Sequence, residues 1–148
     1  MINTLQQSRM SAWLCTRLGL ELPPPLTCIG STRDNYFVGV VGFSDYNGAS
    51  MQMHVAGEGN WATKDLLRLA FDYPFNQCGV KVLLAYVAAT NLKSVAMCHH
   101  VGFTIEHVIT DAHPDGDLLI FAMRPEKCRY LKRGNRHGIK KQFFTCAA

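Results

Sequence analysis

The distribution of apolar and polar residues divides the first half of the chain into one helix and three strands. From Ser8 to Leu20 apolar residues recur at helical spacing, and a stiff proline-rich connector follows at 22–26. Apolar and polar residues then alternate, most clearly over Ser50–Val55, which is typical of a strand with one buried face. The predicted strands are Thr27–Arg33, Tyr36–Tyr46 and Ser50–Val55, with turns at Asp34-Asn35 and Asn47-Gly48.

The second half of the chain is predicted to contain two helices and three strands, in the order helix, strand, helix, strand, strand. Thr63 is predicted to cap a helix that Pro74 disturbs and that ends by Gly79. The apolar run Val80–Ala89 predicts a strand that is covered on both faces. The remaining predicted elements are a helix over Asn91–Val101 and strands over Phe103–Ile109 and Asp117–Met123. This order predicts a mixed α/β fold, an α+β three-layer arrangement with a parallel crossover between the third and fourth strands.

Length and composition narrow the class of protein. A chain of 148 residues is long enough for one domain, and 48% hydrophobic against 18% charged residues argues against wholesale disorder. The longest apolar run, Val82 to Ala89, is far shorter than the ~20 residues of a membrane span, so no membrane association is expected. The first residues lack the basic and apolar blocks of a signal peptide, which predicts a cytoplasmic protein.

The net charge of +4 is spread unevenly along the chain. Residues 125–148 carry a net +6, whereas residues 1–124 carry −2. We therefore predict a domain at 1–124, with its N-terminal helix at 8–20 and its core at 27–124, followed by a basic tail at 125–148. The tail contains aromatic residues and a possible short helix at 126–132; it could dock on a protein partner, join copies of the chain, or bind nucleic acid.

The six cysteines are far apart and form no Cys-x-x-Cys pair. Tetrahedral zinc sites usually use closely spaced ligand pairs, so no metal site is predicted. Without a secretory signal, reduced thiols that act as small buried side chains are expected.

The last predicted helix begins and ends in a way that resembles the Gcn5-related N-acetyltransferase superfamily. In that family a buried strand is often followed by an Asn, a small residue three positions on, a Tyr at seven, and Gly-Phe at eleven and twelve. The corresponding residues here are Asn91, Ser94, Cys98, Gly102 and Phe103. The resemblance is strongest over residues 80–124, and the order of elements extends it to 30–124.

The resemblance implies an acyl-CoA N-acyltransferase-like fold. Its central sheet is mixed and mainly antiparallel, its fourth and fifth strands form a splayed parallel pair, and helices flank it. The chain most resembles small proteins of this kind encoded by tailed bacteriophages, which implies a location in the host cytoplasm or in the virion.

The resemblance also implies acetyl-CoA as a co-substrate in the cleft between the splayed strands. In the family, backbone N–H groups at the start of the helix after the fourth strand bind the pyrophosphate, since orphan donors and the helix dipole favour an anion. The family signature (Gln or Arg, two residues, Gly, one residue, then Gly or Ala) is matched by His54-Val55-Ala56-Gly57-Glu58-Gly59 except at its first position. The implied cofactor-binding residues are Met53, Val55, Gly57, Gly59, Ala62, Thr63, Asn91 and Ser94.

Other readings of the same loop stay open. The run from strand to helix is short, and Glu58 places a negative charge near the expected anion unless its side chain turns outward. Gly57 and Gly59 could serve only to make the turn, and Asn91 could be a helix cap, with or without a role at the cofactor.

Acetyl transfer to an amine requires a base for the amine, a polarised thioester carbonyl and an acid for the CoA thiolate. In the family a backbone N–H of the fourth strand commonly polarises the carbonyl, and the Tyr often protonates the thiolate. Cys98 stands at the position of that Tyr, and His54 lies on the strand that lines the family cleft; they are the candidate acid and base. Alternatively, Cys98 is a small buried side chain and His54 an outward polar one. His99 and His100 project ~100° apart on a helix, so both cannot face one cleft.

Three hypotheses about function follow. The first is an acyl-CoA-dependent N-acetyltransferase acting by direct transfer on an unidentified amine, which the Asn91-to-Phe103 spacing favours. The second is a catalytically inactive protein of the same fold with a structural or assembly role, in a phage particle or bound to a host factor. The short loop, the missing Tyr and the basic tail, which would dock the partner, favour this second hypothesis. The third is nucleic-acid binding through the basic tail.

Overall fold

The computed structural model describes residues 1–21 and 26–131, and these residues form three α-helices and one β-sheet. The helices are α1 (Gln7–Leu18), α2 (Lys64–Asp72) and α3 (Leu92–Val101). The strands are β1 (Ile2–Asn3), β2 (Thr27–Arg33), β3 (Tyr36–Ser44), β4 (Ser50–Gly57), β5 (Val82–Ala88), β6 (Thr104–His113) and β7 (Gly116–Met123).

The sheet is mixed, as the sequence predicts. Its seven strands lie in the order β1-β2-β3-β4-β5-β7-β6. Only β4 and β5 pair in parallel among the described strands, and α2 connects them, as a parallel crossover requires. β7 lies between β5 and β6, so the last hairpin adds its two strands in reverse order. The predicted fold class is therefore confirmed.

Helices cover both faces of the sheet. α1 packs on one face, where the side chains of Met10 and Leu14 are fully buried with Cys28 and Val40. α2 packs on the opposite face, and its apolar side joins the large core cluster. The buried residues of α2 are Leu66, Leu67, Ala70 and Phe71. α1 lies close to the strands because two facing positions, Gly30 and Gly42, have no side chain.

Two connections test the turn predictions. Asp34 and Asn35 both have positive φ (49° and 66°), as the predicted two-residue turn between β2 and β3 requires. The prediction of a two-residue turn at Asn47-Gly48 is wrong, because β3 ends at Ser44 and the connection spans residues 45–49. Asn47 there accepts hydrogen bonds at Oδ1 from the N–H groups of Ala49 and Ser50. A backbone hydrogen bond from the N–H of Asn47 to the carbonyl of Ser50 closes the longer loop, and the side chain of Asn47 reinforces it.

The ends of the described segments also differ from the prediction. β1 was not predicted, because two residues carry no periodicity. Pro74 does disturb the helix that begins at Thr63: the α-helix ends at Asp72 and a π-helical turn follows at Tyr73–Gln77.

The helix predicted at 126–132 is only a 3₁₀ turn at Pro125–Lys127. The rest of the basic tail, residues 132–148, lies outside the described residues, so its predicted docking role stays a prediction.

The cysteines agree only in part with the expectation of reduced thiols. Cys15, Cys28, Cys98 and Cys128 are free, and Cys28 and Cys128 are buried. Burial raises the pKa of Cys28 to about 12, with a smaller contribution from nearby Cys15. Cys78, in contrast, is disulfide-bonded, so the expectation is wrong for this residue.

Candidate functional site

β4 and β5 pair at one end and separate at the other. Their paired positions are Ser50 with Val82, Met51 with Leu83 and Gln52 with Leu84. In the part of the chain that the structure describes, no residue of β4 after Gln52 pairs with β5, although β4 continues to Gly57 and β5 to Ala88. A strand pair that ends halfway leaves the polar backbone groups along the gap without ladder partners. This is the splayed parallel pair that the family resemblance implies.

The direction of the backbone groups on β4 follows from one hydrogen bond. The N–H of Glu58 donates to the carbonyl of Val38, just beyond the ladder between β3 and β4. Because backbone groups of successive strand residues point to opposite sides, the N–H groups of Val55 and Gly57 point away from β3, toward β5. Both residues lie past the last position where β4 pairs with β5. The backbone of β4 therefore offers donors along the gap.

The loop from β4 to α2 offers a second set of donors. Thr63 caps α2 by accepting a hydrogen bond from the N–H of Leu66 at 3.3 Å, and its own N–H donates to the carbonyl of Trp61. Within the described residues, the other N–H groups of the loop and first turn have no acceptor. They belong to Gly59, Asn60, Trp61, Ala62, Lys64 and Asp65. Such a set, at the positive end of a helix dipole, is suited to bind an anion.

Local structure explains why glycine occupies positions 57 and 59 of this loop. Gly59 has φ +56°, in the left-handed region that favours glycine. At Gly57 and at Gly39, its neighbour on β3, an added Cβ would overlap the side chain of Trp61, which packs across both positions. The turn at Gly59 and the packing of Trp61 on Gly57 thus account for both loop glycines. The carboxylate of Glu58 forms an ion pair with the guanidinium of Arg17 on α1. Its negative charge is therefore turned toward α1 and not toward the N–H groups of the loop.

His54 lies on the face of β4 that carries Ala56, which packs under α1, while Met51 and Met53 point into the opposite core. Its side chain is half-buried, and its Nε2 lies 2.8 Å from the Oγ of Ser44 on β3. That hydroxyl in turn donates to Oδ2 of Asp45 at 2.7 Å. Burial lowers the pKa of His54 from its usual 6.5, and the negative charge of Asp45 opposes this shift in part. The ring is thus held neutral near neutral pH.

Cys98 lies on α3 and packs against the core on the opposite side of the sheet from His54. Burial raises the pKa of its thiol to about 11, so the thiol keeps its proton throughout the neutral range. Asn91 caps α3 by accepting from the N–H of Ser94 at 3.1 Å, which is the cap the sequence predicts. The structure does not join His54 and Cys98 directly; they can act on one molecule only if it lies in the gap between β4 and β5.

The other candidates from the sequence have ordinary surroundings. The ring of His99 contacts Phe121 edge-on, and the carbonyl of His100 accepts from the guanidinium of Arg129. The described residues contain no group of three or more His, Cys, Asp or Glu that could hold a metal ion. None of the described helices is long and apolar enough to span a membrane.

Three residues at the site were not predicted from the sequence. Tyr86 stands two positions after Leu84, just as His54 stands two positions after Gln52, so the two side chains share a face beside the gap. The phenol is 47% exposed. A continuous apolar run gives no alternation by which this face could be recognised. From the sequence, Ser44 and Asp45 are predicted only to end a hairpin strand, and no sequence pattern links them to His54.

The fold of this chain is shared with proteins of known structure. No protein-family model matches the chain, and a comparison with curated proteins finds no match. Solved structures do match. A mutant form of the spermidine/spermine N-acetyltransferase SpeG from Vibrio cholerae aligns with a TM-score of 0.70 and 13% identity, covering 86% of this chain and 95% of that chain.

Two further matches were solved with a bound cofactor. YncA from Salmonella typhimurium, with its cofactor acetyl-CoA, aligns with a TM-score of 0.62 and 14% identity over 84% of this chain and 92% of that chain. The N-acetyltransferase PseH from Campylobacter jejuni, in complex with acetyl coenzyme A, aligns with a TM-score of 0.53 and 20% identity over 70% of each chain. The chain thus has the fold of the Gcn5-related N-acetyltransferases, as its sequence predicts. The more specific resemblance to phage-encoded proteins stays a prediction.

Proposed function

We propose that this protein is an N-acetyltransferase that moves an acetyl group from acetyl-CoA directly to an amine. The observation that carries the proposal is the separation of β4 from β5 after Gln52 and Leu84, next to a loop in which six N–H groups have no acceptor among the described residues. Structures of the same fold contain acetyl-CoA, which supports this cofactor here.

The cofactor would lie along the gap with its pyrophosphate at the start of α2. The N–H groups of Gly59, Ala62 and Lys64 would bind the phosphate oxygens, since these donors have no acceptor in the described part of the chain. The pantetheine arm would run beside the backbone of Met53 and Val55. On the other side of the gap, α3 would present Asn91 and Ser94 at its first turn.

Each step of the transfer then has a candidate group. The N–H of Val55 points into the gap and would polarise the thioester carbonyl as negative charge develops on its oxygen. His54, held neutral by its lowered pKa, would take the proton that the amine loses when it attacks. The thiol of Cys98 would donate a proton to the departing CoA thiolate. Because His54 and Cys98 lie on opposite sides of the sheet, the amine would enter from the side of α1 and the thiolate would leave toward α3.

The acceptor is an amine, and the structural relatives suggest which amines to try first. SpeG acts on spermidine and spermine. Spermidine is therefore a reasonable probe, with a panel of small primary amines beside it.

Calorimetric titration of the protein with acetyl-CoA tests the proposal. We expect binding that weakens by about tenfold or more in Asn60→Asp, because the new carboxylate sits among the loop donors and repels the phosphates. The variant should fold as well as the natural chain, since a negative charge near a helix N-terminus is favourable. Asn47→Asp is the matched control: Asn47 lies at the other end of β4, and an aspartate keeps the acceptor for Ala49 and Ser50.

The outcomes separate binding from chemistry. No heat of binding at millimolar acetyl-CoA would refute the proposal as a whole. Equal affinity in Asn60→Asp and Asn47→Asp would place the phosphates away from this loop. Binding without acetylation of any amine in the panel would indicate a protein that keeps the cofactor site but not the reaction.

A further inference from the structure

The contacts of His54 place it at one end of a chain of hydrogen bonds, which extends the proposed function. The chain runs from Nε2 of His54 to Oγ of Ser44 (2.8 Å) and from that hydroxyl to Oδ2 of Asp45 (2.7 Å). Its middle member is buried, with 4% of Ser44 exposed, whereas Asp45 is exposed to solvent. The chain therefore leads from the sheet face beside the gap to bulk water.

The direction of each bond follows from donor and acceptor chemistry. A carboxylate oxygen can only accept, so the single hydroxyl hydrogen of Ser44 is committed to Asp45. The remaining contact needs a hydrogen from the imidazole, which puts the ring hydrogen on Nε2 of His54. The other ring nitrogen, Nδ1, then carries the lone pair that a base requires.

We propose that Ser44 and Asp45 are positioning residues that hold His54 in its Nε2–H tautomer and conduct the proton it removes to solvent. The inference rests on the proposed function, because His54 acts as the base there. In the step, Nδ1 binds the proton that the amine nitrogen gives up. The Nε2 proton passes to the oxygen of Ser44 while the hydroxyl proton passes to Asp45, which releases it to water. Exchange with solvent at both ends restores the starting tautomer.

The backbone conformation at position 45 suits an Asp or Asn residue, which is consistent with a specific role for Asp45. Asp45 directly follows β3 and has φ +56°, a conformation that Asp and Asn tolerate better than most residues. Asp45 is also the charged group whose field reaches His54. Asp45→Asn should therefore keep the loop and its acceptor oxygen while removing the charge that drives proton release.

Nitrogen-15 NMR of the ligand-free protein tests the tautomer without any substrate. The natural chain at pH 8 should show His54 with its hydrogen on Nε2, the signal being assigned with His54→Gln. Ser44→Ala should lose this preference and Ser44→Thr should restore it, because threonine keeps the hydroxyl. Asp45→Asn should keep the tautomer and lower the pKa of the ring. Asp34→Asn, at another exposed aspartate with positive φ (49°), is the control and should change neither the tautomer nor the pKa of His54.

Kinetics with acetyl-CoA and spermidine then test the proton path. Ser44→Ala and Asp45→Asn should each lower kcat by about tenfold or more and leave KM for acetyl-CoA unchanged. A hydrogen on Nδ1 in the natural chain, or an unchanged spectrum in Ser44→Ala, would overturn the inference. Normal turnover in both variants, together with loss of turnover in His54→Gln, would overturn proton conduction. Absence of turnover in the natural chain would count against the proposed function instead, and the NMR result would still decide the tautomer.

Discussion

At the scale of single residues, the site depends on how burial sets the protonation of two side chains. Burial lowers the pKa of His54 and raises that of Cys98 to about 11. Both shifts disfavour the charged form, because a charge in a poorly hydrated place loses its solvation. The result is a neutral imidazole and a protonated thiol at neutral pH, which are the forms that a base and an acid need before the reaction begins.

The pH dependence of turnover follows from the lowered pKa of His54. Only the neutral ring can accept a proton, so kcat/KM should show an acidic limb whose midpoint lies below 6.5. His54→Gln should remove this acidic limb and lower kcat/KM by about 10²–10⁴-fold. His100→Gln, which changes an exposed histidine of α3, should keep both the limb and the rate. An acidic limb that persists in His54→Gln would assign the base to another residue.

At the scale of secondary-structure elements, the close packing of α1 on the sheet depends on strand positions that have no side chain. The side chain of Leu14 fills the space above Gly42, which is the partner of His54 in the ladder between β3 and β4. A Cβ built on Gly42 would lie 2.5 Å from Cδ2 of Leu14. α1 can therefore lie close to the sheet only because this position is glycine.

A double-mutant cycle tests this packing. Gly42→Ala should lower the free energy of unfolding by roughly 1–3 kcal/mol through overpacking, and Leu14→Ala by about 2–5 kcal/mol through the cavity it leaves. The double variant should lose less than the sum by at least about 0.5 kcal/mol, because the smaller side chain makes room for the new methyl group. Urea unfolding of the four proteins measures the coupling. Strict additivity would show that α1 does not press on Gly42.

The sequence predicted the elements better than it predicted the site, and particular residues show why. α3 could be predicted because Asn91 and Gly102 mark its two ends with local chemistry that any helix uses. The contact of His54 with Ser44 could not be predicted, since it depends on the register of β3 against β4 rather than on a local pattern. The position of Tyr86 at the site could not be predicted for a related reason. Its exposure depends on where β5 stops pairing with β4, and that point is set by packing across the whole sheet.

At the scale of the whole molecule, the segment after the last strand packs against the core and against α2. The predicted domain ends at residue 124, yet contacts with the core continue to Leu131. Cys128 is buried, and the ring of Tyr130 stacks on Phe71 of α2 with centroids 5.4 Å apart and planes 9° from parallel. α2 also begins at the loop whose N–H groups lack acceptors in the part of the chain that the structure describes, so the segment supports the helix whose first turn would bind the cofactor.

Tyr130→Ala tests whether this segment is part of the folded domain. Loss of the stacked, half-buried ring should lower the free energy of unfolding by about 1–3 kcal/mol, from lost burial and lost aromatic contact. Tyr36→Ala is the matched control, because 77% of Tyr36 is exposed, and its effect should stay within about 0.5 kcal/mol. If chemical unfolding gave equal stabilities for the two variants, the domain would end near residue 124, as its charge pattern predicts. A loss confined to Tyr130→Ala would place residues 125–131 within the domain, and the basic tail would begin only after them.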